Sequence, residues 1–123
     1  MSRSKAFLVL KASAGSGKTY ALVKNYLQLC LAQKSPAYYR HILAITFTNA
    51  AAAEMKERVI GWLHHLAVSK PADLESDHRA LDLTSALDIP IHELQARAAS
   101  VLSHMVHHYD LLAITTIDSF THR

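Results

Sequence analysis

A chain of 123 residues, half of them hydrophobic, has room for one compact domain with one core, and its composition excludes a disordered chain. The 13 Lys plus Arg against 10 Asp plus Glu leave a formal net charge of +3, a mild excess that permits contact with nucleic acid without demanding it. No apolar run approaches the roughly 18 residues of a membrane span, so no membrane partner is expected.

The N-terminus, "MSRSKAFLVLKASAG", is basic and then apolar. Its apolar core, residues 6–10, is shorter than the roughly 7–15 residues of a signal peptide and runs straight into a glycine-containing loop. A cytoplasmic location is the expectation. Residues 7–10 read as a short buried strand. After the loop, a helix is expected over 18–32, with Leu22, Val23, Tyr26, Leu27 and Cys30 recurring at helical spacing. Cys30 is the single cysteine, which excludes an intramolecular disulfide, and it reads as a small buried hydrophobe. "QKSPAYYRH" is a polar connection containing proline.

"ILAITF", residues 42–47, reads as a second buried strand. Asn49 is the expected cap of a helix running to Val68, with Met55, Val59, Leu63 and Leu66 on one face. "SKPADLESD" reads as a loop. A helix is expected over 78–87, and Pro90 opens a long one whose stripe is Ile91, Leu94, Ala98, Val101, Leu102, Met105 and Tyr109. "LLAITTI", residues 111–117, is the third strand, with Asp118 or Ser119 as cap of a further helix. Strands alternating with helices argue for a parallel sheet with helices on its faces.

Residues 12–19 read A-S-A-G-S-G-K-T, close to the phosphate-loop pattern G-x-x-x-x-G-K-[ST] with Ala12 in place of the first glycine. Gly15 and Gly17 let successive N–H groups of Ala12, Ser13, Ala14 and Ser16 and their neighbours face one anion. The helix N-terminus adds partial positive charge. Lys18 can reach the β- and γ-phosphates, and the Thr19 hydroxyl can ligate Mg²⁺. The loop on its own indicates a nucleotide and names no reaction.

A second stretch, "ITFTNAAAAEMKERV", puts Thr46, Phe47 and Thr48 at the C-terminal end of a strand, where ligands bind in open α/β sheets. Ala50 to Ala53 are small enough for the helix start to lie close to another backbone. An aromatic beside small polar groups suits stacking on a base and bonding to a phosphate. Alone, the segment reads first as a core Phe47 and a plain Asn49 cap.

In this order, "KASAGSGKT", "ILAITFTNAAAAEMKERV" and "ITTIDSF" resemble the UvrD/Rep-type superfamily 1 DNA helicases, most of all the helicase subunits of the AddA and RecB exonuclease group. The resemblance implies a RecA-like α/β P-loop NTPase domain with a parallel sheet flanked by helices. Residues 1–123 would be the N-terminal part of that motor domain, with a helical insert at about 71–109. It implies ATP and Mg²⁺ as cofactors, held by residues 12–19. Tyr20 stands near the nucleotide, where simpler members often carry Arg. It implies that Thr46, Phe47, Thr48 and Asn49 couple ATP state to single-stranded DNA, and that Thr116, Asp118, Ser119 and Phe120 lie at the DNA groove. Ala50 stands where many relatives have Lys. The implied activity is ATP-driven translocation and unwinding in recombination and repair, on single-stranded DNA and duplex junctions. The implied partner is a nuclease or second helicase subunit.

Asp118, at the end of a strand, also has the shape of a Mg²⁺-organising acid, although Ser119 follows where a catalytic Glu is usual. If Asp118 belongs to the DNA groove, 123 residues alone are expected to bind nucleotide weakly, without hydrolysing ATP or unwinding DNA. A stand-alone nucleotide-binding module and a small phosphoryl-transfer enzyme remain the alternatives. Nine histidines include His104, His107 and His108 on one expected helix and His64 and His65 on another. Without H-E-x-x-H, they read as solvated or half-buried helix faces. Glu54, Lys56, Glu57 and Arg58 read as a solvated face of mixed sign.

Overall fold

The structure, a computed structural model, describes the backbone of residues 6–9 and 17–116 and the side chains from Tyr20 to Thr116, Leu111 excepted. The chain runs β1 (Ala6–Val9), α1 (Gly17–Leu31), a 3₁₀ turn (Tyr38–His41), β2 (Ile42–Thr46), α2 (Asn49–Val68), α3 (Pro71–Leu74), α4 (His78–Leu87), α5 (Ile91–His107), a second 3₁₀ turn (Tyr109–Leu111) and β3 (Ile114–Thr116). The three strands form one parallel sheet in the order β1-β2-β3, with Ala6 opposite Ile42 and Thr46 opposite Thr116. The chain is therefore α/β, with a small parallel sheet and a larger helical share.

All five residues of β2 are buried, as a central parallel strand requires. Ile42 and Ala44 join the main core, which α1 supplies with Val23, Tyr26, Leu27 and Leu31. The face of α2 expected from its periodicity, Met55, Val59, Leu63 and Leu66, is buried in that core, and Cys30 is buried beside it. α5 packs along α2 and touches α1 and α4, burying Leu94, Ala98, Val101 and Met105.

α5 also closes two helix ends. The last carbonyls of a helix have no partner within it. Gln95 donates to the carbonyls of Leu66 (3.0 Å) and Ser69 (2.5 Å) at the end of α2. Arg97 donates to the carbonyl of Leu31 at the end of α1 (2.8 Å) while paired with Glu93 (2.8 Å).

Several boundaries differ from the sequence reading. Thr48, not Asn49, caps α2: its hydroxyl accepts the N–H of Ala51 at 3.0 Å, and Asn49 is the first helical residue. β2 stops at Thr46, leaving Phe47 outside the strand. The expected loop 69–77 contains the single turn α3, which Pro71 opens and buried Leu74 ties to the core. Pro90 is the cap of α5 rather than part of its first turn. Tyr109 leaves the stripe because the helix ends at His108 (φ −136°, ψ 48°), and its ring is 52% exposed. β3 begins at Ile114, after a 3₁₀ turn that takes Leu111. The expected caps Asp118 and Ser119 lie outside the described residues. No helix among the described residues is long and apolar enough to cross a membrane.

Candidate nucleotide and nucleic-acid site

Those sequence-predicted residues that the structure describes lie near the C-terminal ends of the strands or at the start of α1. Ala12, Ser13, Ala14, Gly15 and Ser16 lie outside the described residues, as do Asp118, Ser119 and Phe120. Gly17, Lys18 and Thr19 are the first residues of α1, whose first turn carries no acidic side chain. A helix that follows a strand in the chain and starts without an acidic side chain fits an anionic phosphate group.

Tyr20, the next residue, makes its contacts with the helical layer. Its phenol donates to Asp82 on α4 at 2.5 Å, and its ring stacks on His78 (5.4 Å, 17° between planes) and leans on Trp62 (5.0 Å, 57°). Burial and the bond to Asp82 push the phenol pKa up to about 12, so it keeps its proton and stays a donor.

At the β2–α2 corner the four predicted residues are placed differently from one another. Thr46 is buried, and its hydroxyl reaches the carbonyls of Thr48 (3.1 Å) and Thr115 (3.2 Å). Phe47 is 50% exposed. Thr48 spends its hydroxyl on the cap. Asn49 is exposed and lines a cleft of about 470 Å³ whose far wall is β3, including Thr116. Ala52 and Ala53 line the same cleft, as the run of small residues allows. The structure thus brings Asn49 and Thr116, 67 positions apart (116 − 49), into one cleft.

Lys56, Glu57 and Tyr109 complete that cleft, with a cation and an acid adjacent on α2, and were not singled out from sequence as site residues. The Lys56 ammonium lies 5.7 Å from the Tyr109 ring centroid. Their separation along the chain leaves no local signal. Arg58, on the outer face of α2, pairs with Glu54 at 3.0 Å.

His65, His104 and His107 bond neighbouring protein groups, and His104, His107 and His108 share one shallow pocket. His65 bonds Asp77 (2.6 Å), His104 bonds the Tyr39 hydroxyl (2.7 Å) and stacks on His108 (4.2 Å), and the Nδ1 of His107 bonds the Ser103 carbonyl (2.7 Å). Among the described residues no three His, Cys, Asp or Glu gather in a way that could hold a metal ion.

Residues 2–123 match the family described as the UvrD/REP helicase N-terminal domain, and the chain belongs to that family. Within it, the chain is similar to bacterial proteins named as one subunit of an ATP-dependent helicase/nuclease. That of Clostridium beijerinckii is 34% identical over 108 residues, covering 85% of this chain and 8% of the relative. Those of Thermoanaerobacter sp. and Lachnoclostridium phytofermentans are 36% and 32% identical, covering 69% and 85% of this chain and 7% of each relative. The chain thus spans less than a tenth of the length of these relatives. No solved structure matches.

Proposed function

We propose that this chain forms the ATP-binding, first DNA-contacting part of a RecA-like helicase motor acting in DNA recombination and repair. The observation that carries the reading is the β2–α2 corner. An exposed aromatic, Phe47, stands beside a cleft that joins Asn49 to Thr116, at the strand ends where α/β sheets bind ligands.

Residues 12–19 would hold ATP, with Lys18 on the β- and γ-phosphates and Thr19 on Mg²⁺. Bound there, Mg·ATP supplies the free energy of phosphate release to the motor. Phe47 would stack on a base of single-stranded DNA, with Asn49, Thr48 and Thr116 beside it and Asp118, Ser119 and Phe120 further along the groove. Thr46 would act from inside by holding the corner in shape. The relatives' name, a helicase/nuclease subunit, supports a nuclease activity or a second polypeptide in the same assembly, which would work at single-stranded DNA and duplex junctions, with the cytoplasm as the proposed location. Residues 71–109 would be a helical insert in this motor domain.

The test is single-stranded DNA binding by fluorescence anisotropy. Base stacking on an aromatic is worth about 1–3 kcal/mol, so Phe47→Ala should weaken binding roughly 5- to 150-fold. Its half-exposed ring makes the effect on melting temperature small. Unchanged DNA affinity would remove Phe47 from the interface. The sequence holds no Asp-Glu pair to organise the metal and polarise water, so the 123 residues alone should turn over no ATP. Turnover above background that Lys18→Ala abolishes would overturn this part of the proposal.

A further inference from the structure

Residues 71–107, the segment of α3, α4 and α5, carry no sequence motif, yet α4 reaches the start of α1. The contact is made by Tyr20, one residue beyond Thr19. It is directional as well as apolar. The phenol donates to the Asp82 carboxylate, and the ring is held between His78 of α4 and Trp62 of α2. The Arg79 guanidinium lies 5.7 Å from the Trp62 ring and completes the layer. Three helices therefore meet around one side chain in the first turn of α1.

We infer that the bond from Tyr20 to Asp82 clamps the first turn of α1 onto α4 and thereby sets how tightly the N–H groups of that turn hold a nucleotide's phosphate. Tyr20 is a positioning residue in this inference, which rests on residues 12–19 being the nucleotide site. The physical reason is pre-organisation. The first N–H groups of a helix have no partner within it, and helix ends fray. A phosphate bound there needs those groups ordered. If the clamp orders them beforehand, the ligand is spared that ordering cost. Charge assistance makes the phenol–carboxylate bond stronger than a neutral one.

The experiment compares the wild-type chain with Tyr20→Phe, Asp82→Ala, the double variant and Asp77→Ala. Asp77→Ala weakens α4 at its cap without removing the clamp. Affinity for a fluorescent ATP analogue with Mg²⁺ is one readout. Amide hydrogen exchange at residues 18–24 without nucleotide is the other.

Each clamp variant should bind the analogue roughly fivefold more weakly, at the low end of site-to-site couplings, with faster exchange at the start of α1. The double variant should lose no more than either single one, because both remove the same bond. Asp77→Ala should lower the melting temperature while keeping affinity within about twofold. Additive losses, unchanged exchange, or an Asp77→Ala affinity loss as large as that of Tyr20→Phe would overturn the inference. A wild-type chain that binds no nucleotide overturns the nucleotide reading and the affinity part of the inference. The exchange arm then upholds or overturns the clamp by itself.

Discussion

Asp77→Ala should cost about 2 kcal/mol of stability at neutral pH, and the cost should shrink in acid. One carboxylate oxygen of Asp77 caps α4, accepting from the N–H groups of Arg79 (2.9 Å) and Ala80 (3.2 Å). Losing such a cap typically costs about 1 kcal/mol. The other oxygen accepts from His65 at 2.6 Å and so joins α4 to α2. The side chains there are 32% and 15% exposed, so solvent screening discounts that bond to about 1 kcal/mol. The sum should lower the melting temperature of a chain this size by roughly 6–10 °C. Burial alone pushes the Asp77 pKa up. The His65 bond, the Ala80 N–H and the nearby His65 and Arg79 charges outweigh it and hold the pKa below the ordinary value. A carboxylate whose pKa falls on folding stabilises above its unfolded pKa, near 3.9. That contribution drains away as pH drops through the lower folded value. Denaturant unfolding of both proteins at pH 7 and at about pH 3 measures the gap. A gap at pH 7 below about 0.5 kcal/mol, the range of an uninvolved surface change, would refute the reasoning, as would a gap that persists undiminished in acid.

Thr48→Ala removes the cap of α2 and should cost about 1 kcal/mol, read as a loss of roughly 3–5 °C in melting temperature. Leu94→Ala opens a cavity where α5 meets the core and should cost about 2–5 kcal/mol in denaturant unfolding; a smaller loss would mean that the site collapses around the gap. Thr46→Val keeps the shape of a buried side chain and deletes its hydrogen bond, so it should cost about 1–2 kcal/mol and also weaken single-stranded DNA binding; intact DNA binding would show that the corner keeps its shape without that bond.

What was legible in the sequence was local. β2 could be read from an unbroken apolar run, because a central parallel strand is buried on both faces. α4 was expected over 78–87 and is found at His78–Leu87, where the structure bounds it with the Asp77 cap and with Asp88 in a left-handed conformation (φ 55°). The misreadings have physical causes. α3 is one turn long, too short to show a period, and only Leu74 ties it to the core. Tyr109 continued the spacing of α5 on paper, but periodicity holds only while the helix does, and the break at His108 turns the ring outward. The contacts that join elements left no trace: Tyr20 to Asp82, Arg97 to Leu31 and His104 to Tyr39 each span more than 60 positions. Each partner looks ordinary in its own segment. For the site, the motifs placed Thr46, Asn49 and Thr116 at the C-terminal ends of β2 and β3, and the structure puts them there, while Lys56 and Tyr109 emerged only once α2 was placed against the chain that leads into β3.

The segment "TFTN" shows how a motif divides its labour. Thr46, the last residue of β2, is buried, and Phe47, just beyond the strand, is half-exposed. Thr46 then ties the end of β2 to the Thr115 carbonyl of β3 and to the corner itself, through Thr48. Thr48 fixes where α2 begins, which puts Asn49 in the first turn and at the cleft. With Thr46 and Thr48 holding the turn, the backbone that carries the half-exposed Phe47 is fixed on both sides. An exposed aromatic loses apolar burial that a core position would have given it, at about 25 cal/mol per Å². Stacking on a base would return part of that burial. A stacking platform needs a fixed orientation, and the buried threonine and the cap provide it. This is why Thr46, which is shut off from solvent, is expected to matter for DNA binding almost as much as the ring beside it.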